Sequence, residues 1–171
     1  MGTLKRMLFA LGLLLCIYPI VGQHINKVQQ ESIDSEGVIG LIRIPKVDVL
    51  LPVYEGTSEA VLQKGIGHLE ASSAPSGGIG THCLLAGHRG LPNAELFRRL
   101  GELKKGDLFS IEDKSNTYTY QVCNIRVVRP EETEGLGICK DRDLVSLITC
   151  TPYGINTHRL IVTGERMEAR R

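Results

Sequence analysis

Hydrophobic and polar positions divide this chain into two textures. From Met7 to Gly22 the run "MLFALGLLLCIYPIVG" carries no charge and is apolar on every side, which predicts an N-terminal apolar helix. From Val38 onward the apolar residues come in short clusters and alternations. "VIGLIRI" and "VDVLLPV" are β-rich runs split by Pro45, and they predict two strands. "TSEAVLQKG" has the marks of a short helix, with Thr57 or Ser58 as N-cap, Glu59 in the first turn and Gly65 as the stop. "SAPSGGIG" is a loop by its Gly, Pro and Ser content. "THCLLAG" is a short strand running into His88. "LPNAELFRRLGEL" predicts a second helix, with Asn93 near its start and Leu96, Leu100 and Leu103 on one side. "DLFSIED" and "TYTYQVCNIRVV" alternate around a "KSN" turn, as a hairpin does. "LVSLITC" and "RLIVTGE" are two more strands, joined by "TPYGINTH". Short strands at short intervals with two brief helices predict a closed or nearly closed antiparallel barrel. A parallel βαβ arrangement needs long crossover helices, and the pattern contains none.

The N-terminal run comes directly after Lys5 and Arg6. A basic flank before an apolar stretch is the order of a secretory signal or a signal anchor, and it places the chain beyond Gly22 outside the cell. The run is short beside the roughly 17–25 residues of a full span. Gln23, His24, Ile25 and Asn26 add no formal charge if His24 is neutral, so a tilted or extended span is open. No clear A-x-A cleavage site is present after the run, which favours a retained anchor. Residues 1–22 therefore form a signal peptide or membrane anchor, and residues 23–36, polar and without periodicity, a linker. Residues 37–166 form the folded domain and residues 167–171 a charged tail. No second apolar segment lies near the C-terminus.

Composition narrows the function. A chain of 171 residues has room for one domain with a real core. Twenty basic residues nearly cancel 19 acidic ones and there is no Trp, which argues against a nucleic-acid partner. Five cysteines cannot all pair within one chain, and none form a CxxC. At this size and cysteine density a disulfide scaffold is not expected. A zinc site drawn from His82, Cys83, His88, Cys150 and His158 lacks the close ligand spacing of structural zinc. The sequence offers no metal, nucleotide or flavin site, so no cofactor is expected.

The chemistry must then come from side chains. Cys150 ends an apolar strand and precedes the turn-prone "TPYG". A thiol there combines access with a fixed backbone, as a nucleophile requires. Buried cysteines are common, however. His88 sits in "AGHRG" just past a strand, where an imidazole can exchange protons near neutral pH; a plain surface histidine is the bland alternative. Arg159 opens the strand after the Cys150 loop. If those strands pair, its guanidinium can favour a thiolate and hold an oxyanion; otherwise it is a surface ion-pair residue. Thr149 and Thr151 flank the thiol and either fill the strand or lend a donor to the oxyanion. Leu91 and Pro92, with the "GIN" loop between Tyr153 and Thr157, are candidate groove residues. Cys83 and Cys123 read as strand residues, Cys139 as a loop thiol and Cys16 as a passive apolar residue. His82 and His158 adjoin the candidate segments, while His24 and His68 carry no signal.

These segments, taken together, resemble the sortase family. "LITCTPYGINTHRLIVTGER" is similar to its TLxTC strand-end cysteine with an arginine nine residues later. "THCLLAGHRGLPNAELFRRL" resembles its histidine segment, and "IGLIRIPKVDVLLPVYEGTSEAVLQKGIGHLE" its N-terminal strands. The similarity runs from about Gly37 to Arg166, and its details resemble class C, the pilin polymerases. The resemblance implies an all-β, eight-stranded sortase-type barrel with short peripheral helices. It implies Cys150 as nucleophile, His88 as general acid or base and Arg159 as stabiliser of the acyl site. It also implies cleavage of an LPxTG-like sorting signal after Thr, a thioester on cysteine, and transfer to an amine. That amine is a pilin lysine in class C enzymes or a cell-wall peptide in housekeeping enzymes. The domain would stand at the cell membrane, on its extracellular side. Two features depart from class C: residues 23–36 hold no Asp-Pro-aromatic lid triplet, and the C-terminal membrane helix is missing. The alternatives are a cysteine peptidase that hands the acyl group to water, and a surface-anchored adaptor without turnover.

Overall fold

The computed structural model of the protein describes residues 36–92 and 94–167. The apolar N-terminal segment, the linker before Glu36, Asn93 and the last four residues lie outside that range. Among the described residues no helix is long and apolar enough to cross a membrane.

Eight strands form one closed barrel: β1 (Val38–Ile44), β2 (Val49–Glu55), β3 (Ile66–His68), β4 (Thr81–Ala86), β5 (Leu108–Glu112), β6 (Thr117–Val128), β7 (Asp143–Thr151) and β8 (His158–Arg166). The order around the barrel is β1-β2-β3-β4-β7-β8-β6-β5, and β5 pairs back onto β1. Closure leaves no free edge within the ladder, which explains how short strands can make a stable sheet. The barrel is not wholly antiparallel, in contrast to the expectation from the pattern. β2 runs parallel to β3, and β4 runs parallel to β7. The first connection is spanned by a single turn of helix, α1 (Glu59–Leu62). The second passes through β5 and β6, so neither needs the long crossover helix whose absence argued for antiparallel pairing. The three-residue β3 is too short to show a periodicity of its own.

The local predictions fare unevenly. Pro45 does split the first two strands, by opening a one-turn 3-10 helix (Pro45–Val47). Ser58 caps α1, its hydroxyl accepting from the Val61 amide at 3.4 Å. β5 and β6 form the expected hairpin. The second helix does not form. Leu91 and Ala94 make an isolated bridge, Leu96 has φ +39°, and only Leu100–Glu102 is helical, as a 3-10 turn. Leu96, Leu100 and Leu103 are nonetheless all buried. Their spacing reports burial correctly, but a folded-down loop satisfies it as well as a helix does.

Inward-facing residues fill the barrel. Val53, Ile66, Leu85, Phe109, Ile111, Tyr120, Val145, Leu147 and Val162 belong to one core cluster with Phe97 and Leu100 from the loop after β4. Phe109 and Tyr120 stack with ring centroids 5.5 Å apart. The loop carrying Phe97 is thus pinned to the core, and it also carries His88.

Candidate active site

Cys150 is the penultimate residue of β7 and Arg159 the second residue of β8. They are direct partners across the antiparallel β7/β8 ladder. Directly opposed residues project from the same face of a sheet. Val145 and Leu147 point into the core, so the period-two alternation turns Cys150 outward. The thiol is free and half-buried, at the rim where β7 gives way to a loop.

His88 reaches the same rim by a parallel route. Ala86 is the partner of Ile148 in the β4/β7 ladder. The Gly87 amide donates to the Ile148 carbonyl at 3.0 Å, and the Thr149 hydroxyl donates to the Gly87 carbonyl at 2.8 Å. One residue further, His88 stands level with Cys150. The Phe97 amide closes the other side by donating to the His88 carbonyl at 3.1 Å. A Cβ at position 87 would lie 2.5 Å from Ile66 Cδ1 and 3.0 Å from Phe97 Cδ2, so any larger residue there must displace one of those side chains. The ladder therefore brings the three candidates, Cys150, His88 and Arg159, to one end of the barrel on adjacent strands.

Further groups meet there that the sequence did not single out. The Glu59 carboxylate, at the start of α1, lies 3.3 Å from His88 Nε2. The same oxygen, Oε1, accepts from Gln63 Nε2 at 2.6 Å. That bond, and then the nearby imidazole, hold the Glu59 carboxyl below its ordinary range. Arg89 Nη1 donates to the Cys150 carbonyl at 3.4 Å. Arg98 Nη2 donates to the Tyr153 hydroxyl at 3.2 Å, with the guanidinium 4.8 Å from the ring centroid. This pair ties the loop after His88 to the loop after Cys150. Arg159 Nη1 donates to the Asn156 and His158 carbonyls at 3.3 and 3.2 Å, so the same loop holds the guanidinium. Its other N–H groups remain for a substrate oxygen. Within the loop, Tyr153 and Ile155 are exposed.

The Thr149 hydroxyl is not free to act as the oxyanion donor considered for it. Its side chain is 2% exposed and its hydroxyl is committed to Gly87. Thr151 is half-exposed beside the loop. His82 is buried, with Nδ1 on the Gly137 carbonyl and Nε2 on the Ser146 hydroxyl, each at 2.9 Å. His68 is buried against Glu55 at 2.9 Å. Both are structural histidines. The His158 ring contacts only the Thr157 hydroxyl, at 3.0 Å, among the described hydrogen bonds. Cys83 lies in the core, and burial pushes its thiol up to about 12. Cys123 is half-buried against the Thr163 carbonyl, and Cys139 is exposed. Among the described residues no group of three or more His, Cys, Asp or Glu side chains gathers as a metal site would require. A cleft of about 370 Å³ bordered by Asp141, Asp143 and Glu165 opens at the start of β7, the end remote from Cys150.

An outward thiol, an imidazole and a guanidinium at one rim can form a covalent acyl intermediate and pass it on. A family model described as the sortase domain matches residues 42–167. Sortase D of Bacillus subtilis (strain 168) is 32% identical over 131 residues, covering 75% of this chain and 63% of that protein. The chain thus spans less than two thirds of that relative's length. The crystal structure of sortase C1 from Streptococcus agalactiae superposes with a TM-score of 0.78 at 52% identity, covering 80% of this chain and 71% of that one. That of sortase C-1 from Actinomyces oris gives 0.77 at 50% identity, covering 80% and 78%.

Proposed function

The chain belongs to the sortase family, and from that premise we propose that it is a cysteine transpeptidase that cleaves an LPxTG-like sorting signal after Thr and transfers the acyl group to an amine. The observation that carries this reading is the direct β7/β8 pairing of Cys150 with Arg159, beside a His88 segment hydrogen-bonded to Ile148 and Thr149 of the same strand.

The roles come from the chemistry of each group. The Cys150 thiolate attacks the Thr carbonyl carbon, and the carbonyl π electrons move to oxygen. Arg159 donates N–H groups to that oxyanion, a contribution typically worth about 10²–10³ in rate. The C–N bond breaks, and protonated His88 gives its proton to the departing amine, leaving a thioester. The acceptor amine then attacks the thioester carbonyl, neutral His88 takes a proton from it, and the thiolate leaves. General acid–base help of this kind is worth about 10²–10⁴. Arg89 fixes the Cys150 backbone through its carbonyl.

The acceptor is a pilin lysine in this reading, supported by the likeness to sortases named C. The domain works outside the cell, tethered through its N-terminal segment. Product analysis tests the reaction. An LPxTG-containing peptide with a lysine-bearing acceptor should yield the amide-linked product, and without the acceptor slow hydrolysis. Hydrolysis alone, unchanged by any amine, would replace transfer with a peptidase activity.

A further inference from the structure

Glu59 was legible in the sequence only as a first-turn residue of a short helix. The fold places it in the site. Ser58 caps α1, so the next residue, Glu59, is held at the helix start with its side chain toward the rim. Its Oε1 accepts two hydrogen bonds, from Gln63 at 2.6 Å and from His88 Nε2 at 3.3 Å. Gln63, one turn along α1, fixes the carboxylate from behind. Among the described residues, Glu59 is the one hydrogen-bond partner of the His88 ring. The His88 backbone is fixed on both sides, by the Gly87 bonds to β7 and by the Phe97 amide. What remains free in His88 is the ring's rotation and its protonation state, and those are what a carboxylate at Nε2 controls.

We propose that Glu59 is a positioning residue for His88: it holds the imidazole through Nε2, fixing its tautomer and its orientation toward Cys150. This deepens the transpeptidase reading and rests on it. An ionised carboxylate only accepts hydrogen bonds, so Nε2 carries a hydrogen in this arrangement. Nδ1 is then the atom that exchanges a proton with the leaving and incoming amines. The carboxylate's charge stabilises the imidazolium needed to protonate the leaving amine. Glu59 is largely exposed, its side chain 69% accessible, so its influence has the size of a surface ion pair and not of a buried one. Gln63 keeps the carboxylate in place without neutralising it.

The test compares wild type with Glu59→Gln, Glu59→Asp and Glu59→Ala. With the sorting peptide, E59Q should lower kcat about 2–5-fold, with KM nearly unchanged. The alkaline limb of its pH–rate profile should move down by about 0.3–0.7 pH unit. E59D, which keeps the charge, should recover most of the loss, and E59A should lose more than E59Q. Nitrogen-15 NMR of the His88 ring supplies a readout that needs no turnover. Wild type should hold its hydrogen on Nε2, against Glu59, and E59A should mix the two ring tautomers, while the thermal midpoint of unfolding stays within about 1 °C. An alkaline limb unchanged in E59Q, with the same ring tautomer in E59A as in wild type, would overturn the role of Glu59. Wild type lacking Cys150-dependent cleavage would instead overturn the transpeptidase reading, and the ring spectra would still decide the Glu59 contact.

Discussion

Cys150 and Arg159 face each other directly across β7 and β8, nine residues apart in sequence, with the guanidinium held by the Asn156 carbonyl of the connecting loop and the His158 carbonyl at the start of β8. The proposed nucleophile and oxyanion donor are therefore placed by one strand register. A slip by one residue would turn Cys150 into the core. Arg159→Ala should accordingly lower kcat for peptide cleavage about 10²–10³-fold. Arg159→Lys should recover little, because an ammonium cannot reproduce the planar fork. Steady-state kinetics, with circular dichroism to confirm folding, measures both.

Gly87 is the hinge between strand and His88. A methyl group at this position meets Ile66 and Phe97, so Gly87→Ala should destabilise the domain by about 1–3 kcal/mol, the range for overpacking a filled core. It should also reduce turnover by more than this loss of folded protein, since His88 is the next residue. Urea unfolding monitored alongside activity separates the two effects.

The thiols should divide sharply by reactivity. Cys83 is buried and its thiol is pushed up to about 12 by burial, whereas Cys150 lies half-buried at the rim. Iodoacetamide at pH 8 should modify Cys150 in the folded protein and leave Cys83 unmodified until the chain is denatured, as peptide mass mapping will show.

Cys83 also predicts an alkaline weakness. Its folded value lies above the ordinary thiol value of 9.0, so the unfolded chain loses this proton first. The unfolded state then binds fewer protons, and stability falls as pH rises from about 9 toward 12. Through this group alone, stability at pH 10 should be about 1.4 kcal/mol below that at pH 8. Cys83→Ala lowers stability at all pH values but should remove this component of the slope. Urea denaturation of both proteins at the two pH values checks it.

Arg98 and Tyr153 join the two loops that flank the site. A cation–π contact at an exposed position is worth about 0.5–1 kcal/mol. Tyr153→Ala and Arg98→Ala should each raise KM for the sorting peptide about 2–5-fold, with a smaller change in kcat. Equal KM values in both variants and wild type would detach this pair from substrate binding.

The sequence carried much of this because strand alternation and turn residues are local signals. Pro45, Ser58 and the "KSN" turn each act within a few residues, and each does locally what its chemistry implies. Cys150, His88 and Arg159 could be singled out as candidates because strand ends and glycine-rich turns mark where side chains become accessible, and the fold brings them to one rim. Other features were not legible for a physical reason. The parallel pairing of β4 with β7 joins segments 62 residues apart, as in Thr81↔Asp143, and no local pattern encodes such a partner. Leu96, Leu100 and Leu103 kept helical spacing without a helix, because the core needed their burial and not their backbone bonds. Glu59, Arg89 and Arg98 were missed since charged residues on short helices and loops look alike until the fold chooses their partners.

The covalent intermediate is the most direct test of the central claim. Wild-type protein is mixed with an LPxTG-containing peptide, quenched with acid within seconds and mapped by mass spectrometry. The predicted result is the acyl fragment ending in Thr, attached to the peptide that contains Cys150, and lost in Cys150→Ala together with all release of the downstream fragment. Continued release of that fragment by Cys150→Ala, or acylation at any other residue, would contradict the account.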